Sequence, residues 1–455
     1  MMFQTGKYKW TNWAANHSCE ASNYYEPETE EDICTIVSNA GSKGQRIRVV
    51  GSGHSFSPIA LCEDVLISLK QFRKIISIEG NLVTCQAGIF LHELYAALQA
   101  AGLSLPNFGV INKQTLAGAI ATGTHGSGLK HKSLSGEIEK LTLILADGTI
   151  LEIDRNTSRQ IDGVSYNLWD AASISLGLLG IVSSVTLRCE PLFYLRSQEL
   201  TIDFDDYIQT MDDLAAGYEY FKAWWFPHTG KVYVFKAERI GADVYLNRSA
   251  GEDHADWQKQ RDRLIDPATS PMFIRSNKEP DLIPEINQYC LDYFFTPRTR
   301  IGTSFEILVH DETVPMVVSE YALPFQNQMH KKALLEFRAA LESSALKLHF
   351  PVDLRYGAAE TSWLSPACNR PSFYIGVCVR EYKKKEMPAS MNLFFGVMKH
   401  YEGRPNWGKL FELSPSELQH LYPALSDFKK LKKNLDPGTM FSNKYLDNWF
   451  GNQIS

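Results

Sequence analysis

Nowhere does the chain hold about 18 uninterrupted apolar residues, so no spanning helix is expected. It also lacks any CxxC pair. The eight cysteines (Cys19, Cys34, Cys62, Cys85, Cys189, Cys290, Cys368 and Cys378) are scattered. That spacing fits neither a zinc site nor a dense disulfide framework, and no metal is expected. Basic tracts are nearly absent: only Lys383–Lys385 and Lys429–Lys433 stand out, and both read as solvated faces. With a net charge of −6, the balance argues against a nucleic-acid partner. The opening residues MMFQTGKYKWTNWAANHS have no apolar core of signal-peptide length. Secretion is therefore not expected. The expected location is cytoplasmic, with peripheral membrane association left open. No internal repeat is visible.

What is present describes a soluble globular protein, with 44% hydrophobic and 22% charged residues. At 455 residues the chain exceeds one ordinary core, and two or three domains are expected. Its most informative stretch is GSGHSFS, Gly51 to Ser57, directly after the strand-like Arg46–Val50. A strand ending in small residues exposes consecutive backbone N–H groups, which suit a pyrophosphate. His54 is the one large nucleophile in that loop. The spacing is not the dinucleotide fingerprint, because Phe56 takes the third glycine position and no clear helix follows.

Two further segments share this character. Asn112–Gly128 reads NKQTLAGAIATGTHGSG, with glycines at 118, 123, 126 and 128. So much glycine suits a backbone that approaches a flat or charged ligand closely. Ser173–Cys189 places Gly177 and Gly180 ahead of the strand-like Ile181–Leu187. Elsewhere in the first part, helices are expected over Thr29–Ala40 and Leu91–Ala101, the latter stopped by Gly102. Strands are expected over Val65–Leu69, Lys74–Glu79 and Leu82–Gln86. Leu141–Leu145 and Thr149–Ile153 flank Asp147-Gly148, a hairpin signal. After Glu190 the chain carries more aromatics and longer polar loops such as Asn247–Gln260. The prolines from Pro267 to Pro284 read as an irregular connection.

The three glycine-bearing segments, in this order, resemble the FAD-binding domain of the vanillyl-alcohol-oxidase type. Near the C-terminus follow HFPVDLRYGAAETSWLSP (His349–Pro366), GRPNWGK (Gly403–Lys409) and LDPGTMFSNKYL (Leu435–Leu446). With these the chain resembles the sugar-1,4-lactone oxidases, the group containing L-gulonolactone oxidase and D-arabinonolactone oxidase. The resemblance runs from about Tyr8 to Trp449 and is weakest between about Asp203 and Thr299, where WWFPHT (Trp224–Thr229) is the main matching island. It implies an α+β fold: a two-subdomain FAD-binding domain over 8–190, a substrate-covering α+β domain over 191–400, and a segment 401–455 returning to the flavin.

The resemblance also implies site residues. FAD would be held by Gly51, Ser52, Gly53, His54, Ser55 and Ser57 of the first loop. Gly118, Thr122, Gly123, Thr124, Ser127 and Gly128 would follow from the second segment, Ser133 from just beyond it, and Gly180, Ile181 and Val182 from the third. His54 takes the place of the histidine that bonds the flavin's 8-methyl carbon in covalent members. The family's Glu-x-Arg pair falls on Asp353 and Arg355, which two-residue spacing puts on one strand face. Lys409 matches the lysine of an HWAK-like motif. These three are the expected catalytic residues; His125 is not taken as a base, and nothing singles out Glu360. Asp353, Asn406 (in place of His) and Tyr356 depart from the family pattern and suggest a reshaped pocket.

The implied activity is oxidation of an aldono-1,4-lactone at the carbon beside the carbonyl, giving an ascorbate-type product, with O₂ or another electron acceptor; O₂ would give hydrogen peroxide. Two alternatives stay open at this point. One is an alditol (polyol) oxidase, whose motifs overlap, and the other a flavin-binding protein without turnover.

Overall fold

The computed structural model describes residues 3–252, 275–276, 278–309, 316–349, 351–379 and 387–451. Three sheets organise them. In the first, Ile47–Val50 runs parallel to Val65–Ser68, which is parallel to Asn23–Glu26, with Phe3–Thr5 antiparallel at the edge. The helix Glu30–Ser42 covers this sheet with Ile33, Ile36, Val37 and Ala40. Thr29 caps it by accepting from the Asp32 amide while Asp32 accepts in return, a capping box that fixes where the helix begins.

The second sheet has five antiparallel strands in the order Ile150–Asp154, Ile138–Ile144, Ile181–Arg188, Leu82–Gln86 and Ile75–Glu79. Its first pair is the hairpin expected around Asp147-Gly148. The helix expected from Leu91 is found as Leu91–Ala100. No helix follows the Gly51–Ser57 loop.

The third sheet has eight strands, all paired antiparallel. At its centre lie Tyr220–Phe226, Val352–Gly357, Ser372–Val379 and Val317–Pro324. Alternation decides which residues go where. Phe221, Ala223, Trp225, Leu354, Tyr356, Ile375 and Val377 form one apolar core with helices Phe204–Gly217, Met329–Ser343 and Ala389–His400. Their strand neighbours, including Lys222, Asp353, Arg355 and Gly376, point to the opposite face. The last strand, Arg404–Pro405, hands the chain back to the first half. Trp407, Tyr422, Phe428, Leu446 and Phe450 then share one apolar cluster with Ile33, Val37 and Ile47.

Three expectations change. Lys429–Lys433 is not wholly a solvated face. Lys432 lies on the buried side of the amphipathic helix Leu425–Leu435 with Phe428 and Leu431. Burial lowers its pKa, and Asp436 and Asp447 oppose that shift. Pro280 and Pro284 open a 3-10 turn (Pro280–Leu282) and the helix Ile283–Phe294 rather than an irregular connection. A first helical turn has no use for the missing N–H, so proline is tolerated there. Tyr356 lies under the sheet, its hydroxyl 3.2 Å from that of Tyr207, so its departure from the family pattern does not reshape the pocket. Lys383–Lys385, Pro267 and most of Asn247–Gln260 lie outside the described residues. Among the described residues no helix is long and apolar enough to cross a membrane.

Candidate active site

The Gly51–Ser57 loop leaves the carboxyl end of strand Ile47–Val50 and is clamped from two sides. On one side the Trp13 amide donates to the Gly53 carbonyl (2.9 Å) and Asn12 Nδ2 to the Ser55 carbonyl (3.0 Å). On the other, the Phe56 amide donates to the Gly408 carbonyl (2.7 Å) and Ser57 Oγ to the Trp407 carbonyl (2.6 Å). The NWGK motif therefore forms one wall of the first loop. Gly53 holds φ +75°, a left-handed conformation that glycine adopts without strain. At Gly51 a Cβ would lie 2.5 Å from Thr115 Oγ1, so only glycine lets the two loops approach this closely.

Between these loops and the third segment lies a cavity of about 1200 Å³, its open mouth included. Gly51, Ser52, Gly53, His54, Ser55 and Ser57 line it, joined by Gly118, Thr122, Gly180, Ile181 and Val182. Arg48 lies against it too, a buried guanidinium that donates to the carbonyls of Phe441 (2.5 Å) and Leu176 (2.7 Å). His54 is largely buried beside the Trp13 ring, and its Nδ1 has no hydrogen-bond partner. Burial, helped by the charges of Lys409 and Lys113, pushes its pKa down to about 4. Its ring is thus neutral near pH 7, with a nitrogen lone pair available.

A second cavity of about 800 Å³ opens beside the first and shares His54, Ser55, Gln114 and Thr122 with it. The polar face of the eight-stranded sheet is its floor. Asp353, Arg355 and Lys409 all line it, which brings the three expected catalytic residues together. Asp353 Oδ2 accepts from Arg355, while its buried Oδ1 has no hydrogen-bond partner. The Lys409 ammonium sits 5.0 Å from the centre of the Phe56 ring.

Known proteins match along nearly the whole length. The family described as D-arabinono-1,4-lactone oxidase matches residues 185–449, and the FAD binding domain family matches residues 21–154. The chain belongs to the D-arabinono-1,4-lactone oxidase family. An L-gulonolactone oxidase of Scyliorhinus torazame is 32% identical, covering 97% of this chain and 98% of that one. An L-gulonolactone oxidase of Bos taurus is 29% identical over the same shares. An L-gulono-1,4-lactone dehydrogenase of Mycobacterium tuberculosis is 28% identical over 96% and 97%. Among solved structures, a solvent-stable cholesterol oxidase superposes with a TM-score of 0.79 at 18% identity, covering 98% of this chain and 97% of that one. At that identity the likeness speaks for the fold alone.

As a member of this lactone-oxidase family the chain is an FAD-dependent oxidoreductase. Its cavities suit that cofactor: a glycine-lined cradle ends at an unpartnered histidine nitrogen, next to a chamber with a cation on its wall. Five residues of the expected cofactor set do not line the cradle in this lactone oxidase. Gly123 packs on Ile174, and Gly128 packs against the Glu219 carbonyl. Ser127 Oγ donates to the Phe221 carbonyl and accepts from the Tyr356 amide, which ties the second segment to the sheet. Ser133 donates from its amide and hydroxyl to Glu360, so that carboxylate holds a loop. Thr124 lines the second cavity instead of the first.

Sequence reasoning missed Glu320. Its Oε1 accepts from His125 Nε2 and from Asn406 Nδ2, each at 2.9 Å. Burial works to raise its pKa, but His125, Arg355 and Lys409 outweigh that and hold the carboxyl well below its usual range. Asn406 Oδ1 then accepts from the Gly408 amide (3.0 Å), which shapes the turn presenting Lys409. Lys222 was missed as well. It is buried between Trp224 and Phe235, 5.0 and 4.9 Å from their ring centres, and burial with Arg355 nearby pushes its pKa down to about 7. The available signal was the same for Arg48, Lys222 and Glu320: a charged residue inside an otherwise apolar strand.

Proposed function

We propose that this enzyme oxidises an aldono-1,4-lactone at the carbon beside the carbonyl and passes the electrons to O₂, giving hydrogen peroxide. The product is a 2-keto lactone that enolises to an ascorbate-type compound. The observation that carries the reading is the unpartnered Asp353 Oδ1, set beside Arg355 in a chamber that shares His54 and Ser55 with the cofactor cradle. FAD, when bound, takes up the hydride. Asp353 Oδ1 accepts the hydrogen bond of the reacting hydroxyl and receives its proton as the carbonyl forms. Arg355 holds that carboxylate in place and presents its planar fork to the oxygens of the substrate. Lys409, on the chamber wall that also holds His54, would offer positive charge to a cofactor that becomes negative on reduction.

His54, kept neutral by its surroundings, is the attachment point for the flavin. Its ring nitrogen would hold the flavin covalently, through the 8-methyl carbon. Residues 8–190 form the cofactor domain, 191–400 the substrate-covering domain, and 401–455 the segment that closes the site.

The test is anaerobic mixing of the holoenzyme with a panel of aldono-1,4-lactones and alditols, followed by admission of air. Bleaching of the flavin by lactones, with peroxide formed on reoxidation, is expected. Bleaching by alditols alone would make it a polyol oxidase, and no bleaching by either class would make it a flavin carrier without turnover. Prompt bleaching with slow reoxidation in air would instead assign another electron acceptor.

A further inference from the structure

Gly376 lies in the middle of strand Ser372–Val379 and faces the substrate chamber. Its direct cross-strand neighbours are two acids, Glu320 on one side and Asp353 on the other. Glycine inside a strand weakens it, and its presence there calls for a reason. Conformation does not supply one, because Gly376 is not among the residues with positive φ. Crowding does not either. The nearest atoms to a Cβ at this position would be Asp353 Cβ at 3.4 Å and Glu320 Oε2 at 3.6 Å, which is ordinary contact. Elsewhere the site differs: a Cβ would come within 2.5 Å of Thr115 Oγ1 at Gly51 and within 2.3 Å of Asn107 Oδ1 at Gly126. The fold therefore requires those glycines but not this one. What the missing side chain provides is space above the sheet, open to the chamber and flanked by two hydrogen-bond acceptors.

We propose that Gly376 determines substrate size: the space above it receives the hydroxylated carbon chain of the lactone and limits how many carbons the substrate carries. Carboxylates accept hydrogen bonds from hydroxyl groups, so Glu320 Oε2, on the side away from Asp353, suits the polyol part of such a substrate. A five-carbon 1,4-lactone carries a CH₂OH arm, and a six-carbon one carries an arm longer by one CHOH unit. Any side chain at position 376 takes volume from the chamber, and the larger lactone suffers first. The inference rests on the lactone-oxidising reading above, but its test is a ratio between two lactones.

The experiment measures kcat and KM of Gly376→Ala and Gly376→Val holoenzymes on L-gulono-1,4-lactone and D-arabinono-1,4-lactone, together with flavin content and melting temperature. Gly376→Ala is expected to keep its flavin and melt no lower than wild type. Gly376→Val is expected to lose at least about tenfold more kcat/KM on the six-carbon than on the five-carbon lactone, mostly through KM, with Gly376→Ala between. Equal losses on both lactones, or unchanged kinetics on both, would overturn the proposal. If the valine variant does not fold, the alanine variant decides, and an unchanged ratio between the lactones counts against the proposal. Wild-type protein reduced by neither lactone would instead defeat the lactone reading itself.

Discussion

The amide of Phe56 donates to the carbonyl of Gly408 at 2.7 Å, which joins the loop carrying His54 to the turn carrying Lys409. Ser57 Oγ donates to the Trp407 carbonyl beside it (2.6 Å), so two hydrogen bonds set His54 and Lys409 in relation to each other. Pre-organised charge of this sort lowers a barrier without reorganisation during the reaction.

The proposed flavin attachment rests on the neutral ring of His54 and its unpartnered Nδ1. Acid precipitation of the wild type should carry the yellow chromophore into the pellet. His54→Ala should fold normally and release its flavin into the supernatant, because the cradle glycines remain. A wild-type chromophore that stays in solution would contradict the linkage.

Asp353→Glu extends the carboxylate by about 1.5 Å, one C–C bond, and a misplacement of about 1 Å can cost roughly 10²-fold in rate. Gly376 leaves space beside Asp353 for the longer side chain, and under the proposal above that space belongs to the substrate. The variant is expected to keep its flavin and to raise KM about tenfold or more on a six-carbon lactone. Steady-state kinetics across the lactone panel check this, and a gain in kcat/KM on every lactone would show that the aspartate is a damaged glutamate instead of an adapted one.

Glu320 should matter to both stability and rate through the two groups it holds, His125 and Asn406. Glu320→Gln is expected to cost about 1–3 kcal/mol near pH 7, the usual range for disturbing a buried charged hydrogen bond. The folded carboxyl titrates well below its unfolded value, near 4.3. Its contribution is therefore fully present above about pH 4.3 and is lost as the pH falls toward the folded pKa. Denaturant melts of wild type and variant should differ at pH 7 and converge in acid. A gap independent of pH would mean that the carboxylate is not ionised in the folded state. On activity, the variant should lose at least about tenfold in kcat, because a neutral acceptor holds Asn406, and through it the turn before Lys409, less firmly.

Much of the site was legible because its motifs are local. GSGHSFS declares a cradle through small residues and one histidine, and Asp353-Leu354-Arg355 declares a shared face through the two-residue period of a strand. That period also puts Tyr356 on the far face, with Leu354, which rules it out as a pocket residue. Glu320 was harder. It faces Gly376 only because Val317–Pro324 pairs with Ser372–Val379, and it meets Asn406 only because Arg404–Pro405 adds to that strand's other edge. Such pairings between distant segments leave no spacing to read. The second segment carries two uses at once. Glycine and hydroxyl residues serve close packing as well as ligand contact, and beyond Thr124 they tie the loop to Phe221, Glu219 and Glu360.

The most direct test of the account is the rate at which a saturating aldono-1,4-lactone reduces the bound flavin without oxygen, in wild type, Arg355→Ala and Lys409→Ala. Both side chains line the substrate chamber but not the cofactor cradle, so both variants should retain FAD. Each should be reduced at least about 10²-fold more slowly, the size expected for removing a charged contact made in the transition state. Wild-type reduction rates in both variants would contradict the assignment of this chamber as the place where the lactone reacts.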